Sequence, residues 1–210
     1  MRTKGKVKMK QLEQQRRDEI LSAAIKVFSR KGFYLATTDA IIKEAKIGKG
    51  TMYRYFKNKE NLFLEIVLAG LDELDENIRM ATDKIKDPIK NLEAAVHTYL
   101  LFFEKNPLFL DMIVHQQSEF KKKVSNRYFE HFHGNIDKIR TIFKNGIRKN
   151  LIKKNIDIDN CIWILTGMVN GLIFNWHADN KKFSLTQKAS FLTETFFYGI
   201  MSDKKIRERA

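Results

Sequence analysis

Cysteine and proline are almost absent from this chain. Its 210 residues contain one cysteine, two prolines and ten glycines. The single cysteine, Cys161, excludes a disulfide within the chain, which is typical of proteins from a reducing cytoplasm. Strict alternation of apolar and polar residues is also scarce, whereas apolar residues recur at helical spacing almost throughout. The sequence therefore predicts an all-α protein.

No apolar run favours a membrane span. The most apolar stretch, residues 161–178, contains Asn170, Asn175 and His177, and it is shorter than the roughly 20 apolar residues that a spanning helix needs. The basic N-terminus is not followed by an apolar run and a small-residue cleavage site, which argues against a secretory signal. We therefore expect a cytoplasmic protein with no membrane partner.

Groupings that perform catalysis or hold metals are missing as well. His131 and His133 are two residues apart, so on a helix they point in directions about 200° apart and do not form a chelating pair. Cys161 lies in an apolar stretch without an activating base nearby in sequence, which favours an inert core thiol. The nucleotide-binding and hydrolase motifs GxxxxGK[ST], GxSxG and HExxH do not occur. We expect no enzyme, no metal and no cofactor.

Positive charge is concentrated near the N-terminus. The formal net charge is +14; residues 1–60 hold 16 Lys and Arg against 6 Asp and Glu, and residues 61–210 hold 23 against 19. Such an uneven distribution favours contact between the first part of the chain and a polyanion such as nucleic acid. A merely lysine-rich composition is the alternative at this point.

Two short helices joined by a tight turn and preceded by a longer helix are typical of a three-helix DNA-binding head. The long helix is expected from about Glu13 to Arg30, and the first short helix from Thr38 to Lys46 after the N-cap candidate Thr37. The second short helix follows Gly48 and carries hydroxyl, ammonium and aromatic groups. These suit phosphate oxygens and base edges in the major groove.

Residues Ile20 to Val67 resemble the head of the TetR-type (tetracycline-repressor-like) transcriptional regulators. The resemblance rests on Gly32-Phe33, Thr37-Thr38, Ile41, Ala45 and the run KGTMYRYFKNKENL from Lys49 to Leu62. It implies about nine helices, with a helix-turn-helix head and a larger helical domain for ligand binding and dimerisation. The expected segments are a basic arm (1–12), the DNA-binding domain (13–60), a connecting helix (61–84), the ligand-binding and dimerisation domain (85–203) and a charged tail (204–210).

The resemblance also implies DNA-binding residues. Lys49, Gly50 and Tyr53 are expected at bases, and Thr51, Tyr53, Tyr55 and Lys59 at phosphates. The complete predicted set is Thr37, Thr38, Asp39, Lys49, Gly50, Thr51, Tyr53, Arg54, Tyr55, Lys57 and Lys59. The arm, with Arg2, Lys4, Lys6, Lys8 and Lys10, is expected either to follow the DNA backbone or minor groove or to be a disordered solubilising tail.

Two positions of the turn depart from the family pattern. Lys46 stands where glycine is usual, and a non-glycine residue with a positive φ is mildly strained. Gly48 stands where a serine usually caps the recognition helix, and glycine caps only slightly less well. These departures concern the local geometry of the turn and leave the resemblance intact.

The resemblance also implies a ligand pocket and a dimer, both in the aromatic-rich C-terminal part. We expect a repressor that binds a palindromic double-stranded DNA operator as a homodimer and is released by a small apolar or aromatic, lipid-like effector. The last two helices are the expected dimer-forming pair, with Gly167, Gly171 and the Phe196-Phe197 face in contact. The predicted ligand-binding residues are Phe102, Phe103, Phe109, Met112, Phe120, Phe129, Phe132, Phe143, Trp163 and Phe174. A ligand-independent DNA-binding protein with a structural C-terminal domain is the alternative, which a closed, well-packed interior would favour.

Overall fold

The structure is a computed structural model that describes the backbone of residues 2–114 and 125–200 and the side chains of residues 7–114 and 135–199. Within these ranges the chain forms nine α-helices and no β-strand. The helices are α1 (Arg2–Leu35), α2 (Thr38–Ala45), α3 (Lys49–Tyr55), α4 (Lys59–Thr82), α5 (Pro88–Lys105), α6 (Pro107–Val114), α7 (Ser125–Arg148), α8 (Ile158–Ala178) and α9 (Leu185–Ile200). The all-α prediction is confirmed. The charged tail predicted at 204–210 lies outside the described residues.

The described residues fall into two compact units. The head unit contains α1 to α3, α4 as far as Leu71, and α6; the second unit contains the rest of α4, α5 and α7 to α9. The sequence assigned α6 to the ligand-binding domain, but α6 packs against α1. Its Phe109 ring also lies so close to α4 that a Cβ on Gly70 would be 2.4 Å from it. Glycine at this position therefore permits the approach.

An aromatic cluster forms part of the core of the head unit. The rings of Phe28 and Phe33 lie 5.1 and 5.2 Å from the ring of Phe63, both in edge-to-face geometry. Such pairs contribute about 0.5–1.5 kcal/mol beyond the area that they bury. Gly32 has φ 68° and ψ 169° and interrupts α1 three residues before its end. The chain direction therefore changes at Gly32.

The first helix begins at Arg2 and not near Glu13. The residues between these positions include lysine, glutamine, methionine and leucine, which are good helix formers, and no proline interrupts them. The predicted boundary was wrong because it rested on an apolar stripe. Val7, Met9 and Leu12 are exposed, so this part of α1 has no buried face that a periodicity could reveal.

Capping side chains fix the helix starts of the second unit. Asp87 accepts hydrogen bonds from the backbone of Ile89 and Lys90 before Pro88 opens α5. Asp157 accepts from the Asn160 N–H at the start of α8. In both caps a carboxylate satisfies free N–H groups of a first turn.

The carboxylate of Glu104 on α5 holds the start of α9. It accepts a hydrogen bond of 2.9 Å from the Thr186 N–H. Burial raises the pKa of Glu104, but hydrogen bonds from Thr186 and Ser184 lower it and determine the net direction. The positive charge of His97 acts in the same sense as these bonds, so the pKa lies below its ordinary value.

Glu104→Gln is therefore expected to lower the free energy of unfolding by about 1 kcal/mol at neutral pH. Because the folded-state pKa of Glu104 is depressed, its contribution is present above the unfolded-state pKa and is lost as the pH falls through the folded-state pKa. Urea unfolding at fixed protein concentration, repeated from pH 7 downwards, measures this. The wild type and the variant should converge in acid, and a difference that stays constant over the series would contradict the assignment.

Candidate nucleic-acid interface

The second helix begins at an N-cap that the sequence predicted. The Thr37 hydroxyl accepts a hydrogen bond of 3.2 Å from the Ala40 N–H. Ile41 is fully buried and anchors α2, while Asp39 is exposed in the first turn. A carboxylate there is favoured by the helix dipole, and Asp39 lies 4.0 Å from the ammonium of Lys49 on α3. The start of α2 and the start of α3 therefore lie side by side.

A tight turn joins α2 and α3 through a left-handed residue. Lys46 has φ 53° and ψ 46°, and its N–H group bonds to the end of α2. The N–H of Ile47 bonds to the Ile42 carbonyl over 3.2 Å. This is the arrangement in which glycine normally ends a helix. Gly48 then caps α3 without a side-chain hydrogen bond. The turn is closed in this way although Lys46 and Gly48 differ from the residues that the resemblance led us to expect.

Lys46→Gly is expected to raise the free energy of unfolding by about 0.5–1 kcal/mol. The gain arises because the left-handed conformation costs an L-residue about 1–2 kcal/mol, which glycine does not incur. Part of this gain is lost because unfolded glycine has a greater conformational entropy. Urea unfolding measures the difference. Lys46→Ala is the matched control, because it removes the charge and keeps the Cβ. An equal gain in both variants would show that charge, and not backbone strain, is responsible.

The third helix presents one face outward and anchors itself with the other. Met52 is fully buried and Phe56, directly after the helix, is 2% exposed, whereas Tyr53 is 46% exposed. The exposed members of the predicted set on and after α3 are Lys49, Gly50, Tyr53, Arg54 and Lys57, and its half-buried members are Thr51 and Tyr55. A Cβ on Gly50 would meet nothing within 4 Å. The surface formed by these residues presents amine and hydroxyl groups and, at Gly50, accessible backbone. Such groups bind the phosphate oxygens and base edges of a DNA duplex.

The ammonium of Lys59, a predicted phosphate contact, lies against backbone carbonyl groups at the end of α1. It lies 2.7 Å from the Phe33 carbonyl oxygen and 2.8 Å from that of Ala36. A third carbonyl, that of Tyr34, lies at 3.4 Å. Desolvation by burial lowers the pKa of Lys59. An ammonium has three N–H donors, and here all three have carbonyl acceptors.

Arg17 is a residue of the head that the sequence did not single out. Its guanidinium stacks 5.1 Å from the centre of the Phe56 ring and forms an ion pair with Glu65 of α4. It lies in the region that was expected to be an ordinary amphipathic helix. Since its partners follow 39 and 48 residues later in the chain, no local spacing indicated the contact.

The predicted ligand-binding residues that the structure describes are divided between the two units. Phe102, Phe103 and Phe143 are buried in the second unit, and the Phe103 ring packs 5.1 Å from that of Tyr99. Phe109 and Met112 are buried in the head unit instead. Two grooves of about 440 and 380 Å³ lie along α1 and α2, and none of the predicted residues lines them. Phe120, and the side chains of Phe129 and Phe132, lie outside the described residues.

Trp163 and Phe174 were expected inside the second unit, and this expectation was wrong. They are 62% and 60% exposed on one side of α8, and Phe191 on α9 is 71% exposed. We call the exposed apolar surface of these two helices the α8–α9 face; it consists of Trp163, Ile164, Gly167, Gly171, Phe174, Phe191 and Tyr198. A Cβ on either glycine would meet nothing within 4 Å.

Phe196 and Phe197 were expected on the surface between two protomers, but they are buried. The Phe196 ring packs 6.2 Å from that of Phe143. The reason is helical spacing, because Phe191 and Tyr198 are seven residues apart and share a face that the Phe196-Phe197 pair does not. The two outward aromatic residues of α9 were therefore missed.

Among the described residues, no helix combines the length and apolar character that crossing a membrane requires. Nor do three or more His, Cys, Asp or Glu side chains of this part of the chain converge as metal ligands do.

Two family models match the chain. The model described as "Bacterial regulatory proteins, tetR family" matches residues 20–66, which include α2 and α3. The model described as "MAATS-type transcriptional repressor, C-terminal region" matches residues 87–201, which is more than half of the chain.

Relatives are similar over nearly their whole length. The fatty acid metabolism regulator protein of Bacillus subtilis is 27% identical over 189 residues, covering 87% of this chain and 94% of the relative. A putative fatty acid metabolism regulator of Clostridium perfringens has a solved structure that superimposes with a TM-score of 0.73 at 26% identity, covering 88% of this chain and all of that one. The regulator FadR of Bacillus subtilis, solved in complex with stearoyl-CoA, gives a TM-score of 0.75 at 21% identity, with 87% and 98% covered.

Proposed function

Because this chain belongs to the tetR family of bacterial regulatory proteins, we propose that it binds a palindromic operator as a homodimer and leaves it when a fatty acyl-CoA binds. The family consists of ligand-responsive DNA-binding transcriptional regulators. Repression as the direction of regulation, and a cytoplasmic location beside the DNA, belong to the same proposal. The observation that carries it is the outward face of α3, with exposed Lys49 and Tyr53 above buried Met52.

The DNA-binding part of the proposal follows from the short length and the anchoring of α3. Its seven residues are too few for a stable isolated helix. Met52 and Phe56 therefore hold it by packing. Lys49, Tyr53 and Arg54 remain exposed, and these side chain types bind phosphates and base edges. We assign α3 as the helix that enters the major groove.

The homodimer is supported by the α8–α9 face. Its four aromatic residues expose more than half of their side chain areas, and a contiguous apolar patch of this kind marks an interaction surface. Gly167 and Gly171 leave room for close approach of a facing helix. The occupant that we propose is the same face of a second copy, because a twofold axis makes one patch complementary to itself and a palindromic operator requires a twofold protein.

The proposed effector is a long-chain fatty acyl-CoA. Support comes from the FadR structure that holds stearoyl-CoA and from the fatty acid regulator that is similar over nearly its whole length. The buried aromatic side chains of the second unit are chemically suited to an acyl chain, since apolar and aromatic residues predominate in the walls of lipid-sized pockets. Phe102, Phe103 and Phe143 remain the proposed contacts within that unit.

Stearoyl-CoA is expected to release the chain from the duplex that the wild type selects from a random-sequence library. Fluorescence anisotropy of the labelled duplex measures release, with free CoA and stearate as controls that carry one half of the ligand each. By linkage, the duplex should weaken stearoyl-CoA binding by the same factor by which stearoyl-CoA weakens duplex binding. Equal stearoyl-CoA affinity with and without the duplex would reject this effector and leave DNA binding standing. Failure to enrich any duplex would reject the operator itself.

A further inference from the structure

Lys59 connects the start of α4 to the end of α1. Its three acceptors, the carbonyl groups of Phe33, Tyr34 and Ala36, come from the last turn of α1 and the residue after it. The last carbonyls of a helix have no partner within the helix, and a positive charge is favoured there. The ammonium also lies 4.4 Å from the centre of the Phe33 ring. Lys59 thus satisfies a helix end that belongs to another part of the chain.

This connection lies directly beside the recognition helix. Phe56 ends α3, and only Lys57 and Asn58 separate it from Lys59. Asn58 accepts a hydrogen bond of 2.8 Å from the Asn61 N–H and so caps α4. Any movement of the start of α4 relative to α1 therefore moves the C-terminal end of α3.

Arg17 of α1 also contacts the junction of α3 and α4. Its guanidinium covers the Phe56 ring and pairs with Glu65, one and a half turns further along α4. Lys59 and Arg17 therefore both join α1 to the junction of α3 and α4. Lys59 does so at the start of α4, and Arg17 does so at Phe56 and Glu65. In this arrangement carbonyl groups bind the ammonium of Lys59 and Glu65 pairs with Arg17, although both cations count towards the positive charge of the first 60 residues.

We propose that Lys59 is a positioning residue, which sets the orientation of α3 on DNA through the end of α1 and does not itself contact a phosphate. The proposal rests on operator binding by α3. A protonated lysine is required, because a neutral amine has only two N–H groups for three carbonyls. Arginine is a poor substitute, since its planar guanidinium does not direct three donors at one converging set of acceptors.

Three roles for Lys59 predict different results in the full-length chain. Lys59→Met and Lys59→Arg are compared with Lys57→Met, which removes an exposed charge two residues away. The measurements are the urea midpoint without DNA and the affinity for the selected duplex over a salt series, at a temperature where every variant is folded. A phosphate contact changes the slope of log affinity against log salt by about 0.9 per contact, or about 1.8 per dimer.

For a positioning residue, Lys59→Met should lower the urea midpoint by roughly 1 M and the duplex affinity by at least about tenfold. The salt slope should stay that of the wild type. Lys59→Arg should show the same losses, and Lys57→Met should reduce the slope without changing the midpoint. A reduced slope with an unchanged midpoint in Lys59→Met, or wild-type affinity in Lys59→Arg, would overturn the proposal in favour of a phosphate contact. A lower midpoint with unchanged affinity would leave Lys59 a purely structural role and overturn it as well.

Discussion

Tyr53→Ala is expected to weaken operator binding by about 10- to 100-fold for each half-site, which is the loss of one specific base contact. Tyr53 is nearly half exposed and directly follows the buried anchor Met52. Truncating it therefore removes a group from the outward face of α3 and nothing from the core. The free energy of unfolding should change by less than about 0.5 kcal/mol, as for an ordinary surface substitution.

Tyr53→Phe separates the two parts of this side chain. It keeps the ring that we propose for a base edge and loses the hydroxyl that we propose for a phosphate. An intermediate affinity is expected, with the sequence preference of the wild type retained. Anisotropy with the selected duplex and with a scrambled duplex measures both quantities. If Tyr53→Ala binds as the wild type does, α3 is not the recognition helix.

Gly171→Arg is expected to convert the dimer to a monomer and to abolish operator binding at protein concentrations near the affinity of the wild type. The substitution is tolerated within one chain, because a Cβ at this position meets nothing within 4 Å, and arginine has a higher helix propensity than glycine. Against a second copy, however, a long charged side chain in the middle of the α8–α9 face keeps the two helices apart. Burying the unpaired guanidinium between the two helices would also cost free energy of association.

Sedimentation equilibrium at micromolar protein concentration measures the first effect. Ala81→Arg is the matched control, because it adds the same charge at an exposed helical position of α4 outside the α8–α9 face. It should remain a dimer with wild-type affinity. A dimeric Gly171→Arg would place the interface elsewhere on the chain.

The head could be predicted from the sequence because its determinants are local. The Thr37 cap and the left-handed turn position at Lys46 depend on spacings within a few residues, and each lies where the pattern indicated. The carbonyl partners of Lys59 could not be predicted, for the opposite reason. Its acceptors lie 23 to 26 residues earlier in the chain, and a motif that reports residue type does not tell whether an ammonium points outward or towards a helix end.

The exposure of the α8–α9 face could not be predicted from the sequence either. Helix α8 is apolar on most of its circumference, and such a helix is normally buried on all sides. The sequence therefore placed Trp163 and Phe174 in the interior. Among the described residues of one chain, only one side of α8 is buried, and it carries residues such as Ile162 and Trp176. Periodicity records that a side chain is apolar, and it does not distinguish a core from a surface that another copy covers.

The pocket residues were the least predictable part of the site. Phe109 and Met112 follow Pro107, which the sequence interpreted as the opening of another helix of the ligand domain. The helix does open there, but its apolar side chains are buried in the head unit. Which core a short apolar helix joins depends on contacts between distant segments, and composition alone does not specify them.

Operator binding by a homodimer requires that α3 enter the major groove twice in one complex, once from each protomer. A photoreactive benzoyl-phenylalanine in place of Tyr53, irradiated on the selected duplex, tests this directly, with the same group in place of the exposed Met80 as the control. We expect cross-links from position 53 to bases at two symmetry-related places about 34–36 Å apart and none from position 80. Cross-links from position 53 to protein alone, or to a single place on the duplex, would contradict it.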